Sequence, residues 1–259
     1  MKSRSLSSEP SWRLAPRRIT VGEGQVHLWR QSLDLSSLAL SRLREVLSVD
    51  EISRANQFHR EVDHNRFIAA RGLLRIILSC YISRDAANIA FSYSKFGKPY
   101  IASTSNASEL TFNIAHSANL AVYAITRKRK IGVDLEKVQA KFGGNEIDET
   151  VFSANEIAHL RSLSSQEQDS AFFRGWTRKE AILKAMGTGL SQPLNQYEVM
   201  FDLEASPTLS DDRLDRNPLK SWWVKSIDLG DDFVAAVALI GDDWKISYWQ
   251  LSGEKLARL

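Results

Sequence analysis

The stretch SANEI at Ser153–Ile157 repeats the pattern of SVDEI at Ser48–Ile52: a serine, two variable residues, a glutamate and an apolar residue. This pattern is typical of a capping box, in which the serine caps a helix and the glutamate reaches back to the cap. A long helical pattern follows each box, and Phe67 in the first aligns with Trp176 in the second. The two segments are either a duplication or two amphipathic helices that align by chance, since the S-x-x-E pattern is common.

Each segment then ends in an apolar run of strand type, LAVYAI at Leu120–Ile125 and FVAAVAL at Phe233–Leu239. Cap, helix and strand recur in the same order, which favours duplication over chance. Residues 204–218 hold many Asp, Ser and Pro residues and predict a loop. Further strand candidates are Val26–Trp29, Ile131–Glu136 and Trp222–Lys225. The sequence therefore predicts an α/β fold of two similar halves, with a cleft between them where ligands bind.

Composition and charge argue against several classes of protein. Of the 259 residues, 43% are hydrophobic, which is enough for one large core or two small ones. The formal net charge of +3 is too small to indicate nucleic-acid binding by itself, and no basic tract or aromatic-basic RNA motif is present. No run of about 18 or more apolar residues occurs. We therefore expect neither nucleic acid nor a membrane among the partners.

The chain also divides along its length. Residues 1–20 are rich in Ser, Arg and Pro, which predicts a disordered extension or, as the alternative, a transit peptide. Residues 21–127 form the predicted N-terminal half and residues 128–259 the C-terminal half. The single cysteine, Cys80, lies in an apolar run and is expected to be a buried side chain. A lone buried thiol fits a reducing cytoplasm.

The run IGVDLE at Ile131–Glu136 carries two candidate metal ligands. Residues two apart on a strand point to the same face, so Asp134 and Glu136 present their carboxylates together. Such a pair repels unless a cation lies between the two groups, and oxygen-only ligands suit Mg²⁺. Because D-x-E is a common tripeptide, two solvated acids at a strand end are the better interpretation of this motif taken alone.

A second acidic centre lies in the helical pattern Phe172–Lys184. Trp176, Glu180 and Lys184 follow one another at four-residue spacing and share one side of the helix. Glu180 and Lys184 are either a surface ion pair, which contributes little, or a metal ligand or base beside a phosphate-binding cation. A glycine, Gly187, follows and predicts the end of the helix.

The segment FNIAHS at Phe112–Ser117 joins two apolar runs, so His116 is expected at a strand end or turn. A histidine in a loop is usually only solvated, and the sequence lacks the G-x-S-x-G elbow of a serine hydrolase. Phosphate binding is the better functional interpretation of His116. Lys98, in the turn Gly97–Tyr100, is a further candidate cation. Arginines that include Arg54 and Arg66 recur along the first long helical region, as surface charges or phosphate donors.

These motifs, in this order and spacing, resemble those of the Sfp-type (surfactin-type) 4′-phosphopantetheinyl transferases. The matching segments are Gly97–Pro99, Phe112–Ser117, Gly132–Glu136 and Trp176–Ala181, followed by Lys184 and the glycines after it. The resemblance spans roughly residues 25–250. It implies two pseudo-two-fold-related halves, each a small, mostly antiparallel sheet packed on a long helix, with coenzyme A bound between them.

The resemblance also implies an activity and a role for each candidate residue. The activity is the Mg²⁺-dependent transfer of phosphopantetheine from coenzyme A to a serine of an acyl or peptidyl carrier protein, by a cytoplasmic enzyme that is expected to be a monomer. Asp134, Glu136 and Glu180 would hold Mg²⁺, with Lys184 on the same phosphates. Glu180, Lys184 and His116 would be catalytic. The residues implied in binding coenzyme A are Arg54, Arg66, Lys98, His116 and Lys184.

Two departures from the family pattern affect phosphate binding. Ala115 stands where a serine is common, and Glu51 stands where some members carry a lysine.

Other functions would use some of the same candidate residues. A different Mg²⁺-phosphate enzyme would need no carrier protein, although the absence of a P-loop pattern counts against a nucleoside-triphosphate substrate. A degenerate family member would bind coenzyme A or carriers without catalysis, which the intact candidate residues argue against.

Overall fold

The structure is a computed structural model. The residues that it describes are 10–82, 84–102, 109–139, 149–187, 194–196, 198–199, 201, 222–230, 232–241 and 244–252. The predicted loop at residues 204–218 lies outside this part of the chain.

Two short helices begin at the predicted capping boxes, and a separate long helix follows each of them. The bounds of the helices are α1 Ser37–Glu45, α2 Val49–Ala55, α3 Glu61–Ser79, α4 Ala154–Ser162 and α5 Ser165–Met186. Both capping boxes are confirmed: the Ser48 amide donates to Glu51 and the Ser153 amide donates to Glu156. Each of these two glutamates is buried and pairs with a cation on the long helix that follows it. The boxes thus fasten α2 to α3 and α4 to α5.

The strands form two main sheets and a hairpin. Their bounds are β1 Arg13–Leu14, β2 Gln25–Ser32, β3 Phe91–Tyr93, β4 Pro99–Ile101, β5 Leu110–Ser117, β6 Leu120–Arg127, β7 Ile131–Lys137, β8 Trp222–Asp228, β9 Phe233–Ile240 and β10 Lys245–Gln250. The first sheet has the order β1-β10-β2-β6-β5, the second has the order β7-β9-β8, and β3 pairs with β4. All five predicted strands are present, and the α/β fold class with mainly antiparallel sheets is confirmed.

Two strands do not lie where the predicted division of the chain into an extension and two halves would place them. β10 belongs by sequence to residues 128–259, yet it runs parallel to β2 in the first sheet. β1 lies within residues 1–20 and pairs with β10, and its neighbour Trp12 is 9% exposed. Burial of Trp12 against Tyr248 gives this part of the expected extension a fixed place.

The two sheets pack on each other through one apolar cluster. It contains Val26 and Val122 from the first sheet and Ile131, Val133 and Val237 from the second. This packing brings β5 and β7, the edge strands that carry the candidate site residues, next to each other. None of the described helices combines the length and the apolar composition of a membrane span.

The helix α5 lies directly on β7 at Gly132. A Cβ atom built on Gly132 would lie 1.9 Å from the carbonyl oxygen of Ala181 and 2.4 Å from the amide nitrogen of Ala185. Backbone therefore meets backbone at this point, which only glycine permits. The contact sets the position of the candidate residues on α5 relative to those on β7.

Candidate active site

One cleft brings together residues from both halves of the chain. It has a volume of about 260 Å³ and lies between the β3–β4 hairpin, β5 and the last turns of α5. Lys98, Asn113, Glu180 and Lys184 are among the residues that line it. Lys98, Glu180 and Lys184, which the sequence predicts as site residues, thus face one common space.

Asp134 lies behind this cleft and is joined to it by an ion pair. Lys184 Nζ donates to Asp134 Oδ1 at 2.5 Å, across from α5 to β7. Asp134 is 4% exposed, and its second oxygen, Oδ2, is buried with no hydrogen-bond partner among the described residues. A buried acceptor without a partner is costly unless a ligand or ion satisfies it.

The strand acids and the helix acid act on one another electrostatically. Burial and repulsion by Asp134 raise the pKa of Glu180, and Glu136 adds to this shift. Burial also raises the pKa of Glu136, with Asp134 again contributing, although a hydrogen bond from Ser117 opposes the shift. Asp134 contributes to both shifts, so its carboxylate lies close enough to Glu136 and to Glu180 for the charges to interact.

These carboxyl groups do not form a ready-made metal cage. Among the residues that the structure describes, no group of three or more His, Cys, Asp or Glu side chains is arranged to hold a metal ion. Asp134 Oδ1 already accepts a hydrogen bond from the Lys184 ammonium, and Glu136 Oε2 accepts one from Ser117 Oγ at 2.9 Å. Glu180 Oε1, like Asp134 Oδ2, is buried without a partner in the same part of the chain. The three-carboxylate ligand set therefore stays a prediction.

His116 lies at the end of β5, as predicted. Its pKa is lowered, because its ring is partly desolvated and because the positive charge of Lys184 is near. A lowered pKa favours the neutral imidazole at physiological pH. The residue as a whole remains exposed, so the ring is accessible to a ligand.

Lys98 is close to Lys184, and its side chain already has hydrogen-bond partners within the protein. Its ammonium donates to the carbonyl oxygens of Ile131 and Lys184, at 2.7 and 2.6 Å. Burial lowers the pKa of Lys98 to about 8, with Lys130 and Lys184 adding repulsion. The predicted phosphate contact of Lys98 is not tested by this geometry.

Arg54 and Arg66 do not line this cleft. Arg66 forms two hydrogen bonds to the carboxylate of Asp34, at 3.0 and 3.3 Å, and borders a different cavity together with Glu61. Arg54 is exposed and its guanidinium lies over the ring of Phe67. Their predicted contacts with coenzyme A stay predictions.

Comparisons with known proteins agree with the motifs. The model of the 4′-phosphopantetheinyl transferase N-terminal region matches residues 29–128, and that of the 4′-phosphopantetheinyl transferase superfamily matches residues 130–238. The 4′-phosphopantetheinyl transferase HetI of Nostoc sp. is 36% identical over 92% of this chain and 98% of its own length. The chain belongs to the 4′-phosphopantetheinyl transferase family. The transferase therefore moves phosphopantetheine from coenzyme A to carrier proteins.

A more distant relative and one solved structure were also found. The 4′-phosphopantetheinyl transferase Sfp of Bacillus subtilis is 27% identical to the transferase over 86% of this chain and 95% of its own length. Among solved structures, the "Chronobacterium ammoniagenes ACPS-CoA complex" covers 43% of this chain and 96% of that chain, at 19% identity and a TM-score of 0.34.

Two residues that position the site of the transferase lie within the Phe112–Ser117 motif, but the sequence analysis assigned them no role. Asn113 Oδ1 accepts from the Val133 amide at 2.8 Å, which joins β5 to β7. Ser117 donates to Glu136 and accepts from the Lys137 amide. The signal for both is their alternation on β5: residues two apart face the same side, and here that side is β7.

Proposed function

We propose that the transferase attaches the 4′-phosphopantetheine arm of coenzyme A to a serine of an apo-carrier protein with Mg²⁺ as its metal ion. The observation that supports the site is geometric: the Lys184 ammonium on α5 reaches Asp134 on β7 at 2.5 Å, and Asp134 Oδ2 and Glu180 Oε1 are buried without hydrogen-bond partners among the described residues. Burial, with repulsion by Asp134 added, raises the pKa of both Glu136 and Glu180. A cation between these groups would remove the repulsion.

The residues present fit Mg²⁺. Asp134 Oδ2 and Glu180 Oε1 are buried oxygens without hydrogen-bond partners among the described residues, and all three candidate ligands are carboxylates, the donors that Mg²⁺ prefers. Asp134, Glu136 and Glu180 would hold the ion. When bound, Mg²⁺ supplies positive charge that neutralises the phosphate oxygens of the substrate.

The reaction makes one P–O bond and breaks another. The carrier serine oxygen attacks the β-phosphorus of coenzyme A, and the anhydride bond to adenosine 3′,5′-bisphosphate breaks. Glu180 is the residue that we propose takes the serine proton. Lys184 donates to the phosphate oxygens, and the neutral ring of His116 donates a further hydrogen bond.

Binding of the adenosine 3′-phosphate is proposed for residues of the first half. His116 is accessible, and Arg66 has the guanidinium geometry that suits phosphate. For Arg66 to bind phosphate it must leave Asp34, which is 54% exposed at its side chain, so the exchange is between water-accessible partners and costs little. Arg54 is the second arginine of the predicted set, and only the family resemblance adds Lys98 to it. The enzyme is proposed to act as a monomer.

The decisive experiment measures the intact mass of apo-carrier proteins after incubation with the purified transferase and coenzyme A. We expect one phosphopantetheine added per carrier when Mg²⁺ is present and none after the metal is chelated. A carrier with its acceptor serine replaced by alanine is the control and should keep its mass. Failure to modify fatty-acid, polyketide and nonribosomal-peptide carriers alike would refute the proposal.

Binding of Mg²⁺ should also be visible without turnover. A metal concentration 100-fold above Kd should raise the free energy of unfolding by about 2.7 kcal/mol, measured as a rise in Tm. Glu180→Gln should lose most of this rise, because it removes a negative charge and an unpartnered oxygen from the site. Glu23→Gln is the matched control, since Glu23 pairs with Lys128 at the surface. An equal rise in all three proteins would contradict the assigned ligands.

A further inference from the structure

Lys98 connects the two halves of the protein. It follows the turn of the β3–β4 hairpin, which belongs to the first half by sequence, and both of its hydrogen-bond acceptors lie in the second half. One is the carbonyl of Ile131, the first residue of β7, at 2.7 Å; the other is the carbonyl of Lys184, in the last turn of α5, at 2.6 Å. One ammonium group thus holds a strand end and a helix end together.

The bond to Lys184 supplies a hydrogen-bond donor to a carbonyl oxygen that has no partner within the helix. The last four carbonyls of an α-helix have no partner within the helix, and α5 ends at Met186. The Gly187 amide bonds the carbonyl of Leu183, and Lys98 bonds the next one, that of Lys184. A positive charge at a helix C-terminus is also favoured by the helix dipole.

The bond to Ile131 lies beside the closest contact between α5 and β7. Ile131 precedes Gly132, whose Cα faces the backbone of Ala181 and Ala185. Lys98 therefore holds the two elements at the point where their backbones touch. The position of α5 on β7 in turn decides whether the Lys184 ammonium reaches Asp134.

Burial of the Lys98 ammonium is compensated by these bonds. Two of its three N–H donors point at backbone carbonyls. Charge burial is tolerated when the donors are used in this way. The charges of Lys130 and Lys184 are both positive and repel it, so the two carbonyls hold the side chain in place.

We propose that Lys98 is a positioning residue, which holds the C-terminal turn of α5 against β7 so that the Lys184 ammonium is placed for the reaction. The inference deepens the proposed function and rests on it for the role of Lys184. It assigns Lys98 to the protein's own backbone, in place of the phosphate contact that the family resemblance implies.

The first test needs no substrate. Amide hydrogen exchange in the last turn of α5 should become at least about 10-fold faster in Lys98→Met, because that turn loses its partner from the first half. Lys98→Arg should restore part of the protection. Lys95→Met is the matched control, since Lys95 lies on the same hairpin, is exposed and extends over Phe96. Unchanged exchange in Lys98→Met would overturn the proposal, whether or not the wild-type protein modifies carriers.

The second test separates positioning from phosphate binding. Lys98→Met should lower kcat by about 100-fold, by the same factor with coenzyme A and with 3′-dephospho-coenzyme A, and should change KM little. A loss confined to KM, and absent with the dephospho substrate, would overturn the proposal in favour of a 3′-phosphate contact. If the methionine variant does not fold, Lys98→Gln, which keeps one amide donor group, serves in both tests.

Discussion

Gly132→Ala should lower the free energy of unfolding by about 3 kcal/mol or more, one of the largest effects of any single methyl group in this protein. The added Cβ would lie 1.9 Å from the carbonyl oxygen of Ala181 and 2.4 Å from the amide nitrogen of Ala185. Both are backbone atoms of α5, so no rotamer change can relieve the clash. The helix must move away from β7, which opens the packing between them.

Chemical denaturation of Gly132→Ala and of the control Gly22→Ala measures this effect. The Cβ of the control would meet only the flexible end of the Gln25 side chain, at 3.4 Å, and we expect a change of less than about 0.5 kcal/mol there. Because the displaced helix carries Glu180 and Lys184, Gly132→Ala should also lose turnover. Equal stability of the two variants would show that α5 does not lie on β7 as described.

The local elements of the fold could be predicted because their signals are local. The capping boxes at Ser48 and Ser153 start α2 and α4, and the apolar runs before and after them form the expected strands. The αL conformation of Gly187, with φ of 73°, ends α5 where the glycine predicts. Each of these features depends on residues a few positions apart, so the sequence alone is sufficient.

Pairing between distant segments could not be predicted in the same way. β10 has an ordinary alternating pattern, and nothing in KISYWQ indicates that it lies parallel to β2. Glu51 is a second example. The family pattern suggests that this residue weakens phosphate binding, but it is 2% exposed and forms ion pairs with Arg71 and Arg75. Glu51 therefore anchors α2 to α3 and is not available to a ligand.

In the candidate site, too, local patterns could be predicted and contacts between distant segments could not. The D-x-E motif and the helical spacing of Glu180 and Lys184 indicate the carboxylates and the cation, because the pattern follows from strand and helix geometry. The partners of Lys98 are carbonyl oxygens, which every residue has, so no sequence motif records them. Ala115 is 4% exposed and packs between the sheets, so a serine hydroxyl at this position would face the apolar cluster.

The ion pair between Asp134 and Lys184 should be essential for turnover, and its loss should be separable from loss of stability. Either Asp134→Asn or Lys184→Gln leaves one charge in a partly buried site without its partner. The side chains are 6% and 31% exposed, so each single change should lower the free energy of unfolding by up to about 3 kcal/mol. Each should also reduce kcat by at least about 1000-fold. Asp134→Asn removes a proposed metal ligand, and Lys184→Gln removes the cation that donates to the phosphate oxygens.

The double variant Asp134→Asn with Lys184→Gln distinguishes catalysis from folding. It replaces the ion pair by two neutral amides that can hydrogen-bond each other, so most of the stability lost in the single variants should return. Turnover should not return, because neither amide can bind a divalent cation or neutralise phosphate as the charged groups do. Measurement of Tm and of carrier modification in all four proteins gives the coupling of the pair. Recovery of activity together with stability would mean that Asp134 and Lys184 serve only to hold α5 on β7.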